Sequence, residues 1–407
     1  MRAFNSALSS SIVKKGEARL KQEDASSFSY SVIMNNKDLS CESITGITDA
    51  WYNLLCDSLK LPVNNFQLTL PAGMPGNNES LWAYFNLVPP ATLKYNYWYY
   101  DQPTFFSQYA AIVQQLQFPE SSFENDIGKA TYAKWTAYLN SLPQPPPENT
   151  LPTVWFQWAM LNAPSVANTG RTGLACRVLI KSGLAALAPY LGPNAKAPEF
   201  SPLFSDLITT LQAAPPADLL FTSMNGNPDV SNSWVPGIDP AFFGLWTGSW
   251  CGFLLNKKFA QSAVTLSIRF EHYAVVTVTP GAWYNSGLLH LALASKSVPP
   301  WSSSAGWEKY FSLGGTLNFA IGSVLAVDGI SLTLTADADF TSEEQAVITS
   351  FVEMGYWPLY CQQKIRAIKN ELSFERGKMT ISCHTVAGNP VLIGNNVFKI
   401  NQYLGGS

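Results

Sequence analysis

The chain has 407 residues, enough for two or three domains, and its 47% apolar and 13% aromatic content is ample material for their cores. Only 13% of residues are charged, against about 25% in an average globular chain, and the net charge of −3 carries no basic stripe to neutralise phosphates, which argues against a nucleic-acid partner. A surface poor in ions but rich in neutral polar groups loses little hydration when it meets another protein, a glycan or a second copy of itself.

The first residues, Met1 to Leu8, lead into serines and then Lys14 and Lys15 without an apolar core. No secretory signal is read there, and Glu17, Glu23 and Asp24 weaken a transit-peptide reading of Arg2, Lys14, Lys15 and Arg19. The expected location is cytoplasmic, or outside the cell by a non-Sec route. The longest uncharged runs, Asn149 to Gly170, His272 to Ser295 and Tyr310 to Val327, are broken by Pro, Asn or Gly, so none reads as a lipid-spanning helix and the chain is expected to be soluble.

Ile47, Trp51, Leu54, Leu55 and Leu59 recur at helical spacing behind Thr48. A second helix follows Thr104, with Phe105, Tyr109, Ile112, Val113 and Leu116 on one face. A third carries Phe123, Ile127, Ala130, Trp135, Tyr138 and Leu142. Pro143, Pro145, Pro146 and Pro147 stop it, since each lacks an amide donor and crowds the preceding turn, leaving 142–152 as a stiff connector. Helices are expected again at Val154 to Leu161, Thr172 to Leu191 and Leu203 to Gln212, with Gly170-Arg171-Thr172-Gly173 as a turn ahead of the second.

After Trp250 the period changes from helical to alternating. Val264, Leu266, Ile268 and Phe270 form one face of a strand, and Tyr273 to Val278 and Leu288 to Leu293 read as further strands. Asp328-Gly329, between two apolar runs, is the strongest short-range hairpin signal. Thr341-Ser342-Glu343-Glu344 opens a helix as a capping box, and Met379, Ile381 and Cys383 alternate in a late strand. The expected fold is α+β: a helix-rich domain over 1–215, a linker over 216–240, and a mainly antiparallel β-rich domain over 241–407 with one inserted helix pair.

Candidate chemistry is thin. His272, His290 and His384 all fall in the strand-rich half and are the weak candidates for a metal site, although no two have sequence-local ligand spacing. Cys383 and His384 are neighbours on a strand and point to opposite faces, so they cannot pair as nucleophile and base. Asp337-Ala338-Asp339 reads as solvated acids leaving a strand. The six cysteines make no C-x-x-C and read as scattered thiols, with disulfides left open. No cofactor motif is present.

Two features point to contact rather than reaction. Tyr97, Trp98, Tyr99 and Tyr100 crowd one segment and Trp246 and Trp250 another, and rings with polar tips suit a sugar or a protein surface. The stretch around Val324, Asp328, Gly329 and Ile330 has the composition of a hairpin that joins a transmembrane barrel after a conformational change. The leading expectation is a non-enzymatic protein that works through surfaces, by self-assembly or by binding a protein or glycan. A membrane-active pore former comes second, and a metal-assisted enzyme using the three histidines third.

Overall fold

The computed structural model describes residues 47–89, 103–223, 245–246, 253–361 and 368–406. The fold is α+β, helix-rich in its first half, with an antiparallel sheet drawn mainly from the second.

Helix α1 (47–59) buries Trp51, Leu55 and Leu59 and leads to strand β1 (Phe66–Gly73). Helix α2 (Asn78–Phe85) starts from a capping box between Asn77 and Ser80, and α3 (Phe105–Gln114) from Thr104, whose hydroxyl accepts from the Ser107 amide at 3.1 Å. The helix expected from Phe123 to Leu142 is two, α4 (Glu120–Ile127) and α5 (Lys129–Ser141). Gly128 between them holds φ at 82°, which no helix continues through.

The proline run ends α5, and α6 (Leu151–Asn162) and α7 (Ala167–Leu187) follow. Gly170 to Gly173 therefore lie inside α7 and not ahead of it. The two glycines leave room for rings: a Cβ on Gly170 would sit 2.3 Å from the Trp155 ring and one on Gly173 2.6 Å from Phe118.

Strand β2 (Phe200–Ser201), helix α8 (Phe204–Gln212), strand β3 (Ala217–Thr222) and helix α9 (Phe253–Gln261) precede the long strand β4 (Ala263–Thr277). After the short β5 (Thr279–Pro280) the chain forms α10 (Ser286–Ala294) where Leu288 to Leu293 suggested a strand. A short apolar run does not fix its own period. Here leucine and alanine favour helix, and the Asn285 side chain caps it by accepting from the Leu288 amide.

Helix α11 (Gly306–Phe311), strand β6 (Phe319–Asp337), helix α12 (Ser342–Ser350), strands β7 (Ile368–Glu375), β8 (Lys378–Thr385) and β9 (Val391–Lys399), and helix α13 (Ile400–Tyr403) complete the order.

The sheet is built around β4 and β6, which pair antiparallel from Ala263↔Asp337 to Thr277↔Ser323. Asp328-Gly329 is therefore no turn. It lies in the middle of a single strand, with Asp328 opposite His272, and the hairpin expected at Val324 to Ile330 does not form.

On its other side β6 changes neighbour: residues 319–327 pair with β9, and residues 331–336 with β8. The 386–390 turn joining β8 to β9 sits against Asp328, whose buried carboxylate accepts from the Gly388 amide at 2.7 Å and the Asn389 amide at 3.2 Å. Gly329 holds φ at 62°. At that level the β6 side chains facing the first core change from odd (Leu325, Val327) to even (Ile330, Leu332, Leu334). β1 adds to β9, β7 to β8 and β3 to β4, so the sheet forks around one junction.

Three cores result. The first gathers α1, β1 and one side of the forked sheet. The second lies between the other sheet face and α2, α3, α8 and α10, so residues from before 216 and after 240 share both. The third is a small helical core, discussed below.

The capping box on α12 forms as expected: Glu344 accepts from the Thr341 amide at 2.7 Å and the Thr341 hydroxyl from the Glu344 amide at 3.3 Å. Lys258 on α9 reaches the same carboxylate at 2.7 Å. Partial burial raises the Glu344 carboxyl, but the bonds from Lys258 and the Thr341 amide outweigh it and hold it below its ordinary value of 4.5. A depressed carboxylate stabilises the fold above that value and loses the contribution as pH falls through its folded value. Glu344→Gln is expected to lose under about 1 kcal/mol at neutral pH and nothing in acid, where both proteins are neutral at this position. Urea midpoints at the two pH values check this.

Candidate interaction surface on a helical arm

Helices α4 to α7 carry a core of their own, formed by Phe123, Ile127, Trp135, Trp155, Ala159, Ala167 and Leu174. Trp155 is its centre. Its ring meets Phe123 edge-on at 5.2 Å and Trp135 edge-on at 5.2 Å, and its indole N–H donates to the Ala167 carbonyl at 2.9 Å. Gly170 leaves the space the ring occupies.

Helix α7 fastens this arm to the body. Its first half supplies Ala167 and Leu174 to the arm, and its second half supplies Ile180 and Leu187 to the second core. Glu120 and Glu148 pair with Arg177, and Glu148 also with Lys181, across its exposed side; such surface pairs add little each.

Helix α6 is apolar nearly all round, its polar residues being Thr153, Gln157 and Asn162. Only Trp155 and Ala159 are fully buried. The outward side presents Met160 at 52% exposure and Leu161 at 86%, flanked by half-buried Phe156 and Trp158. Arg171 lies over the Phe156 ring at 5.0 Å, and residues 149–170 carry no charge of their own. An all-apolar helix is ordinarily a buried one. This one is buried on one side only, against the aromatic core of the arm.

The residues singled out from the sequence are distributed otherwise. Trp246 is no platform: it is 1% exposed and stacks on Phe351 with ring centroids 4.8 Å apart, inside the first core. Tyr97, Trp98, Tyr99, Tyr100 and Trp250 lie outside the described residues.

The three histidines do not converge. His272 Nδ1 bonds the Ala214 carbonyl at 2.8 Å, His290 is exposed on α10, and His384 Nδ1 lies 3.4 Å from the Ser331 hydroxyl. Among the described residues no group of three or more His, Cys, Asp or Glu is placed to hold a metal ion. Val324 and Ile330 are buried in the second and first cores, so the stretch around Asp328 and Gly329 is interior on both sheet faces. Among the described residues no helix is long and apolar enough to cross a membrane.

Cys383 turns into the first core and His384 outward, as alternation requires. Cys56, Cys176, Cys361 and Cys383 are free thiols. No protein-family model matches this chain, and no curated protein or solved structure matches it.

The uncharged run around α6 is visible in the sequence, where it invites only the question of membrane crossing. The usable signal is different: a twelve-residue helix with three neutral polar residues and no charge is too apolar for a solvent-facing element.

Proposed function

We propose that this protein acts by contact and not by catalysis, and that the outward side of α6 joins it to a second copy of itself. The carrying observation is the exposure of Met160 and Leu161 on an uncharged helix packed over an aromatic core. A twofold contact sets a surface against its own copy, so a patch bearing one sign of charge repels itself while a neutral apolar patch does not. A net charge of −3 over 407 residues adds little long-range repulsion between copies.

One face of a twelve-residue helix buries less than the about 800 Å² per partner of stable complexes, so the expected affinity is micromolar. Sedimentation across a concentration series is expected to move from 44.6 kDa towards twice that mass. Leu161→Glu and Met160→Glu should each weaken association about tenfold or more, because each sets a charge in the contact, while the melting temperature stays put, as suits exposed positions. A mass fixed at 44.6 kDa up to high concentration, or association indifferent to both substitutions, overturns the reading.

A further inference from the structure

Cys361 and Cys383 both lie inside the first core, on segments joined by the β7 strand. Cys383 projects from β8, opposite Asn370 on β7 and Leu332 on β6. Asn370 sends its side-chain amide to the Cys361 carbonyl at 3.1 Å and to the Val352 carbonyl at 3.3 Å. Because opposed residues of neighbouring strands point the same way, those bonds lay the segment carrying Cys361 over the face from which Cys383 emerges.

Gly355 helps to hold that segment. Its φ is 74°, and a Cβ there would stand 2.3 Å from the Cys361 carbonyl oxygen. Both cysteines are nearly covered, at 3% and 7% exposure, and both are free.

Each thiol acts on the other: Cys383 raises the Cys361 thiol and Cys361 lowers that of Cys383, while burial raises both. Both line a cavity of about 10 Å³ with Tyr356, Trp357 and Asn370, the space that one water-sized molecule needs. Two thiols that line one cavity of this size are placed to close to an S–S bond of about 2.05 Å.

We propose that Cys361 and Cys383 are a peroxide-sensitive dithiol that closes reversibly to an internal disulfide. Hydrogen peroxide, a small uncharged two-electron oxidant, supplies the step. The Cys383 thiolate attacks one peroxide oxygen, the O–O bond breaks, and hydroxide leaves and takes a proton to become water, so Cys383 becomes a sulfenic acid. The Cys361 sulfur then attacks the Cys383 sulfur, the S–O bond breaks, and the departing hydroxide takes the Cys361 proton as a second water. In sum two thiols and one peroxide give one disulfide and two waters, the sulfurs losing the two electrons that the peroxide gains.

The closed form ties β8 to the segment that follows α12. It is expected to melt later than the dithiol form by about 3–6 °C, as a native-compatible cross-link does in a chain of this size. Nothing in this couple depends on α6 or on self-association.

The test treats the intact protein with hydrogen peroxide, blocks remaining thiols in denaturant and maps the peptides by mass. The expected result is loss of the 361 and 383 thiols, a peptide pair joined through these two positions, and recovery of both thiols with dithiothreitol. In Cys361→Ser the sulfenic acid on Cys383 should persist and be trapped by dimedone, and in Cys383→Ser the Cys361 thiol should survive. Intact thiols at both 361 and 383, a cross-link joining either of them to another cysteine, or a sulfenic acid trapped on Cys361 but not on Cys383 overturns the proposal. If neither serine variant folds, the wild-type peptide map decides alone.

Discussion

Trp155→Ala is expected to unfold the helical arm while leaving the sheet in place. The indole is fully buried, meets Phe123 and Trp135 edge-on, and bonds the Ala167 carbonyl. Its removal leaves a cavity in a core of only seven buried side chains, too few to close over the space, and the expected loss is about 4 kcal/mol. The effect should be local, because the far half of α7 is held by Ile180 and Leu187 in the second core and not by the arm. Hydrogen exchange should show lost protection over residues 120–175 with β4 and β6 still protected. Self-association should fall with it, since α6 loses the ring that fixes its orientation. A protection loss spread evenly over arm and sheet would mean that the arm has no stability of its own to lose.

Local rules read the elements well wherever the deciding contacts are local. The proline run ends α5, Thr104 and Thr341 cap their helices, and Val264 to Phe270 alternate into the first core. The largest error has a distant cause. A turn signal such as Asp328-Gly329 is legible only if nothing distant pairs with it, and here β4 lies alongside from residues 263 to 277 while β8, β9 and their connecting turn meet on the other side. Leu288 to Leu293 is a different case, a short apolar run whose period local propensity and the Asn285 cap decide, while Gly170 and Gly173 are glycines because the Trp155 and Phe118 rings pack against them.

The candidate surface was half legible. The absence of charge over 149–170 stands in the sequence, but which residues of α6 turn outward is set by how Trp155 seats against Phe123, Trp135 and Gly170. The placement of Cys361 beside Cys383 has no sequence signal, since it depends on Asn370 bonding the carbonyl nine residues before it across the sheet face.

Asp328→Ala should be the costliest change at the junction of the sheet, and it separates a strand interior from a hairpin tip by stability alone. At a tip, alanine for aspartate would fall within about 0.5 kcal/mol of the wild type, as exposed positions usually do. Here Asp328 is 2% exposed and its two oxygens hold the Gly388 and Asn389 amides, so deleting the carboxylate removes two charge-assisted bonds. At about 1.5–3 kcal/mol for each such bond, less what water returns to amides near the surface, the expected loss is about 3 kcal/mol. Asp328→Asn keeps one accepting oxygen and should lose roughly half of that. Gly329→Ala should cost about 1 kcal/mol through its left-handed backbone alone, because the Glu271 carboxylate that a new methyl would meet is exposed and can swing aside. Unlike the arm substitution, Asp328→Ala should lower protection in β4, β6, β8 and β9 together, since one carboxylate holds the turn that joins the two halves of the fork. Urea unfolding with hydrogen exchange measures both effects, and a neutral result for Asp328→Ala would return these residues to the turn that their sequence suggests.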